Sequence, residues 1–487
     1  MKIRNKILIG TLTVLLAVGG MSCKKYLDIN TSPLTATKVD AGLLFGYAIT
    51  SWDVNKNGGD TWLPIGLFIQ NIASGGDFGW EKGNLYDVSV YSIQNSWSLY
   101  YATGGNNLEL AIRDAEAADP VNNNTAAQCK IIKALMMYEA TTLFGDVPFT
   151  EAWQPEEFPY PKFDAQKDVF EGIIALLDEA VAQMDPSSPL RITDYDVFYK
   201  GDLAKWTKLA NSIKFKTLMT MVDKDPSKAA AIGAMLSNPG SMLSSAADDM
   251  TYKYYEKSDN ENPKYRLFKE YTGGKNVWFF ANNNVFKYME PKNDPRIPQY
   301  FDLGLGEGVT TYEGVDTEVD ADNNTSLLSS SYLYRKDAPS LILSYQEILL
   351  LQAEAYARGL GVAKNLVTAQ QLFRKGVEAS MNFYEADPDA IQVYLDTQLP
   401  NLVTAADPAK EIHLQQWIDL MDRPLEAFVQ WRRSGSEGNE VPTLTLPPGA
   451  TAGPLIRRFV LPPNEISSNP NVPDPQPKYY DKVWFDL

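Results

Sequence analysis

Apolar residues recur at helical spacing through much of the chain, and strict alternation is scarce. Trp97, Tyr100, Tyr101, Leu108, Ala111, Ile112 and Ala115 fall on one face. Phe170, Ile173, Ile174, Leu177, Val181 and Met184 follow the i, i+3, i+4, i+7 pattern of an amphipathic helix. Trp206, Leu209, Ala210 and Ile213 begin another such stripe, and Ile348, Leu351, Ala355 and Tyr356 a further one. The pattern predicts a mainly α fold.

These stripes come in pairs. The segment "LILSYQEILLLQAEAYARG" is followed by "NLVTAQQLFRKGVEASM", in which Ala369 and Phe373 stand four apart and Gly376 three further on. This is similar to the second helix of a tetratricopeptide unit, where small residues admit the neighbouring helix and an aromatic wedges into it. "AAQCKIIKALMMYEATTLFG" with "KDVFEGIIALLDEAVAQM" forms a second pair. The stretches 51–90, 240–340 and 441–480, rich in Gly, Asn, Asp, Pro and aromatics, read as long irregular insertions, the kind of loop that carries function. A single domain over 23–487 is expected, with residues 1–22 as a leader.

The leader has a basic start (Lys2, Arg4, Lys6), an apolar run from Ile7 to Val18 and small residues at Gly19, Gly20 and Ser22. The run is too short to span a bilayer comfortably and has the order of a secretory signal. Cys23 follows at once, where a bacterial leader of this form is cut and the thiol acylated, although Gly20 stands where many such leaders carry Leu. Cys23 is the expected lipid attachment point. Cys129, the other cysteine, then has no disulfide partner and reads as a small core residue.

The net charge of −17 moves to near −20 once the three leader cations are gone, so nucleic acid and anionic lipid surfaces repel the body and the membrane link must be covalent. His413 is the single histidine. It would have to serve any Ser-His-Asp or Cys-His system, and it excludes a clustered His/Cys zinc site. In "KEIHLQQWIDLM" it reads as a partly exposed structural residue. There is no GxxxxGK[ST] or GxGxxG loop, and with 61 acidic residues a chance carboxylate pair says little. No cofactor and no metal is expected. The run Asp316, Glu318, Asp320, Asp322 mimics the start of a calcium loop, yet the glycine at position six and the glutamate at position twelve are missing, so it reads as a solvated charge run.

Three local patterns have structural readings. Gly145-Asp146-Val147-Pro148 stops a helix, because glycine takes the positive φ of the cap and proline forbids resumption. Arg432 and Arg433 close a helix before Gly435, where cations suit the dipole, with buried carboxylate pairing as a second reading. Asp294-Pro295-Arg296 makes a turn with a local ion pair.

Two loops have the composition of a sugar-binding surface, with flat aromatic faces beside amides and carboxylates. "SGGDFGWEKGNLYD" offers Asp77, Phe78, Trp80, Asn84 and Tyr86; "GGKNVWFFANNNVFKY" offers Asn276, Trp278, Phe279, Asn282, Asn283 and Asn284. Trp97 reads as core.

The order of the segments resembles the SusD/RagB family, surface lipoproteins that partner TonB-dependent (SusC-like) outer-membrane transporters in Bacteroidota. The likeness rests on "SCKKYLDINTSP", "KALMMYEATTLFGDVPFTEAW", "KWTKLANSIKFKTLMTM", "NDPRIPQYF", "PSLILSYQEILLLQAEAYARG", "IHLQQWIDLMDRPLEAFVQWRRSG", "RRFVLPPNEISSNPNV" and the final "KVWFDL". It implies four tetratricopeptide-like helix pairs as a scaffold, a loop-rich half, and a non-enzymatic protein lipid-anchored at the outer-membrane surface. That protein would catch oligosaccharides, or in some relatives peptides, and pass them to the transporter. A carboxylate-pair glycoside hydrolase and a purely structural lid are the rival readings.

Overall fold

The computed structural model describes residues 39–75, 86–273, 277–317, 321–450 and 453–487. The leader and Cys23 lie outside them. Residues Ala41–Leu487 form one compact unit.

Helices dominate it. The first half runs α1 (Ala41–Lys56), α2 (Trp62–Phe68), α3 (Val90–Ser98), α4 (Asn106–Glu116), α5 (Asn123–Phe144), α6 (Gln166–Gln183) and α7 (Leu203–Met221). A π-helical stretch, Leu99–Gly105, joins α3 to α4. The second half holds α8 (Ala229–Leu236), α9 (Pro263–Thr272), α10 (Asn283–Met289), α11 (Tyr345–Arg358), α12 (Leu366–Phe383), α13 (Pro388–Thr397), α14 (Pro408–Asp419), α15 (Pro424–Arg433) and α16 (Pro463–Ser468). Helices α5, α7 and α11 each start on a side-chain cap that takes up an otherwise orphaned amide: Asn122 accepts from Thr125, Asp202 from Ala204 and Ser344 from Glu347.

Helices α5 and α6 pack as a pair, as do α11 and α12, and α7 bridges α6 to α11. In α12, Ala369 and Phe373 are fully buried, and a methyl on Gly376 would meet Leu350 of α11 at 2.9 Å. The bare glycine lets the two backbones approach. Gly145 caps α5 at φ +77°, as its sequence implies.

The stretches 51–90 and 240–340 are less irregular than their composition suggests. They contain α2, α9, α10 and the strands β1 (Ile72–Ser74), β2 (Met250–Tyr252), β3 (Phe279–Ala281), β4 (Phe301–Asp302) and β5 (Leu327–Leu328). A sixth strand, β6 (Ser340–Leu343), pairs with β2. All seven residues of α2 are buried, so it shows no amphipathic stripe to read.

Buried charge ties the helices together. Lys56 of α1 donates to both Glu139 of α5 and Glu426 of α15, each at 2.5 Å. Arg433 reaches both oxygens of Glu354 at 2.7 and 2.8 Å, and Arg432, fully buried, lies 3.6 Å over the Phe428 ring and donates to the Arg457 carbonyl. For Arg433, buried carboxylate pairing is thus the reading that holds. Arg296 grips Asp294 through two bonds and reaches Ser380 and Gln415, fastening the predicted turn to α12 and α14. Cys129 is wholly buried. No helix among the described residues is long and apolar enough to cross a membrane.

Candidate functional site

Strands β1, β3, β5 and β4 form a small antiparallel sheet in that order, with Ile72 opposite Ala281, Ser74 opposite Phe279, and Phe280 opposite Leu327. Successive side chains in a strand point to opposite faces. Ile72, Phe279, Ala281 and Leu328 therefore enter the main core, whereas Ala73, Phe280 and Leu327 form a separate cluster on the other face. Beyond the last strand pair, the Gly75 amide donates to the Trp278 carbonyl at 2.8 Å. Gly75 and Trp278, far apart in sequence, thus meet at this end of the sheet.

At that end lies a cleft of about 250 Å³, lined by Trp278, Phe280 and Leu305 and by Asp322, Asn323 and Thr325. Trp278 is half-buried, Leu305 is exposed, and Asp322 and Asn323 face solvent. The Asp322 carboxylate accepts from the Asn324 and Thr325 amides, bonds that hold its pKa below the usual value. An indole beside an apolar floor with carboxylate and amide groups at the rim can take a ring that has C–H faces and peripheral hydroxyls.

The stems of the cleft are pinned by polar side chains. Tyr86, buried at φ +61°, donates to the Phe68 carbonyl at 2.7 Å and accepts from Gln70. Gln70 also accepts from Asn284 at 2.7 Å. Asn282 is wholly buried, caps α10 through the Asn284 amide and donates to Thr317. Asn283 donates to Asp316 at 2.8 Å.

Of the residues singled out by composition, Trp278 lines the cleft. Tyr86, Phe279 and Asn282 are buried in the body of the protein. Asp77, Phe78, Trp80, Asn84 and Asn276 lie outside the described residues. Phe280 and Asn323, which also line the cleft, stand outside the residues singled out, and Asp322 enters the sequence reading only as part of a solvated charge run; strand parity in β3 is the signal that points to Phe280.

A second, wider cleft of about 670 Å³ lies among α1, the π-helical stretch and α9, lined by Asn55, Gly58, Gly59, Asp60, Asn95 and Arg266 among others. Asn95 donates to Asp60 at 3.1 Å. Among the described residues of its lining there is no aromatic ring.

His413 is buried rather than partly exposed, its Nε2 3.4 Å from Glu354. Helix α14 is sandwiched among α11, α12 and α15, so it has little solvent face. Burial alone would raise the Glu354 pKa, but Arg433, His413 and Arg358 hold it well below the carboxylate range. Burial pushes Asp249 up to about 7; it accepts the Tyr345 amide and does not line the sheet-end cleft. Among the described residues no group of three or more His, Cys, Asp or Glu side chains is arranged to hold a metal. Residues 318–320 of the acidic run lie outside the described residues.

A family model for SusD-like proteins, described as starch-binding and associating with the outer membrane, matches residues 39–462. Solved structures agree on the fold. A chitin-binding protein is 24% identical with a TM-score of 0.76, covering 92% of this chain and 100% of its own. A SusD-like protein from Bacteroidetes is 19% identical, with the same TM-score and coverage. A SusD/RagB family protein from Bacteroides thetaiotaomicron is 21% identical with a TM-score of 0.73, covering 92% and 99%. No curated protein matches the sequence.

Proposed function

The chain belongs to the SusD-like family, and from that premise we propose that it is a non-catalytic, lipid-anchored receptor that captures oligosaccharides and hands them to a TonB-dependent transporter of the outer membrane. The sheet-end cleft carries this reading: a half-buried Trp278 beside Phe280, with Asp322 and Asn323 at the rim, suits stacking against a sugar ring and bonding its hydroxyls. Gly75 donates to the Trp278 carbonyl, and Asp77, Phe78, Trp80 and Asn84, which follow Gly75 in the sequence, are further proposed contacts. The relatives' descriptions as starch-binding and chitin-binding favour glycan over peptide cargo. Cys23 is the proposed acylation site and the sole membrane link.

Isothermal titration with maltoheptaose and chitohexaose, run alongside a reducing-end assay after prolonged incubation with the parent polysaccharides, tests the reading. Binding without release of reducing ends supports it. Turnover of either polysaccharide, or binding of a peptide mixture with neither sugar bound, overturns it.

A further inference from the structure

A third cavity, of about 310 Å³, is walled by Trp97, Tyr101, Trp153 and Tyr160, with Glu465 and Asn469 at its rim. Among the described residues it shares none with the sheet-end cleft. Its aromatic wall is built. Tyr101 stands between Trp97 and Trp153, with ring centroids at 4.5 and 5.7 Å. The Tyr101 hydroxyl donates to the Pro148 carbonyl, and the Trp153 indole N–H donates to the Tyr101 carbonyl, both at 2.8 Å. Trp153 sits at φ +59°, a backbone state that a bulky residue adopts only when its surroundings impose it. Gly105 makes room for it, since a methyl there would meet the indole at 2.3 Å.

Facing this wall, Tyr160 is 55% exposed between Pro159 and Pro161. It stacks on no other ring among the described residues. Its backbone is nonetheless held: Asn471 donates to the Tyr160 carbonyl at 2.6 Å, and Asn469 to the Pro161 carbonyl at 2.9 Å. Asn469 also donates to one oxygen of the half-buried Glu465 at 3.0 Å. On a proline-flanked, doubly pinned loop the backbone beneath this exposed ring is already fixed, so binding has less backbone freedom to remove. The volume is at the lower end for small-ligand sites. Stacked rings with one carboxylate and one amide fit an amphipathic ring with hydroxyls.

We propose that this cavity is a second, independent sugar-binding site, in which Tyr160 stacks on a pyranose ring and Glu465 accepts from its hydroxyls. The proposal rests on the glycan reading above and extends it, because two sites on one body let a longer oligosaccharide be held twice.

The test is titration of the full mature chain with chitohexaose and maltoheptaose, comparing wild type with Tyr160→Ala, Glu465→Gln, Trp278→Ala and Tyr160→Ala/Trp278→Ala. Thermal unfolding of each variant serves as a control. Loss of about fivefold to tenfold in affinity for Tyr160→Ala, a smaller loss for Glu465→Gln, unchanged melting, and a further loss in the double variant are expected. Binding by wild type that neither Tyr160→Ala nor Glu465→Gln weakens overturns this site and leaves the Trp278 cleft standing. A loss with Tyr160→Ala but none with Trp278→Ala supports this site and removes the other. Wild type that binds neither sugar overturns both.

Discussion

The Gly75 amide donates to the Trp278 carbonyl at 2.8 Å, a bond that ties together two segments far apart in the sequence. It continues the β1–β3 pairing one step past the strands, so the position of Trp278 is inherited from the register of the sheet.

Adjacent residues at this point have opposite tasks. Trp278→Ala is expected to lower glycan affinity about tenfold with little change in melting temperature, since the indole lies half-exposed at the cleft. Phe279→Ala removes a ring that is 1% exposed and packs edge-on to Trp62, and should cost about 3–5 kcal/mol of stability. Titration and chemical denaturation of the pair check this; equal effects on affinity would contradict the parity argument.

Gly376→Val should destabilise the protein by about 1–3 kcal/mol, because the added carbons meet Leu350 and push α12 off α11. Denaturant midpoints decide it, and an unchanged midpoint would mean that the helix pair tolerates a wider spacing.

Glu354→Gln should cost about 3–5 kcal/mol near neutral pH, since it leaves Arg433 buried without its counter-charge. In wild type the folded-state pKa lies below the unfolded one, so this contribution is complete above the unfolded value of about 4.3 and fades as pH falls. The gap between wild type and variant should therefore narrow on acidification, as read by melting curves from pH 7 to pH 3.

Asp249 has the opposite sign. Its folded pKa is raised by burial to about 7, so between roughly pH 4 and pH 7 the folded chain binds more protons than the unfolded chain and stability falls as pH rises. Asp249→Asn keeps an acceptor for the Tyr345 amide and lacks the ionisation. Its melting temperature should rise relative to wild type across that window and level off above it. A constant difference would show that Asp249 does not titrate there.

The helical half was legible in the sequence because its signal is local. Faces such as Phe170, Ile173, Ile174 and Leu177 declare themselves by spacing, Cys129 and Trp97 sit in core as their neighbours imply, and Gly145 ends α5 by its own backbone freedom. The loops that could hold a ligand were visible as composition, but composition does not distinguish a ring that faces solvent from one that anchors its loop.

Tertiary structure decided the rest, for reasons no local pattern carries. Pairing of β1 with β3 turned Phe279 inward and Phe280 toward the cleft, and the packing of α14 among three helices closed off His413. The third cavity joins Trp97 and Tyr101, the Pro148–Pro161 loop and the Glu465–Asn469 turn. Spacing along the chain reports the face that a residue shares with its near neighbours; which distant segment covers that face depends on contacts between elements, and a single sequence does not record them.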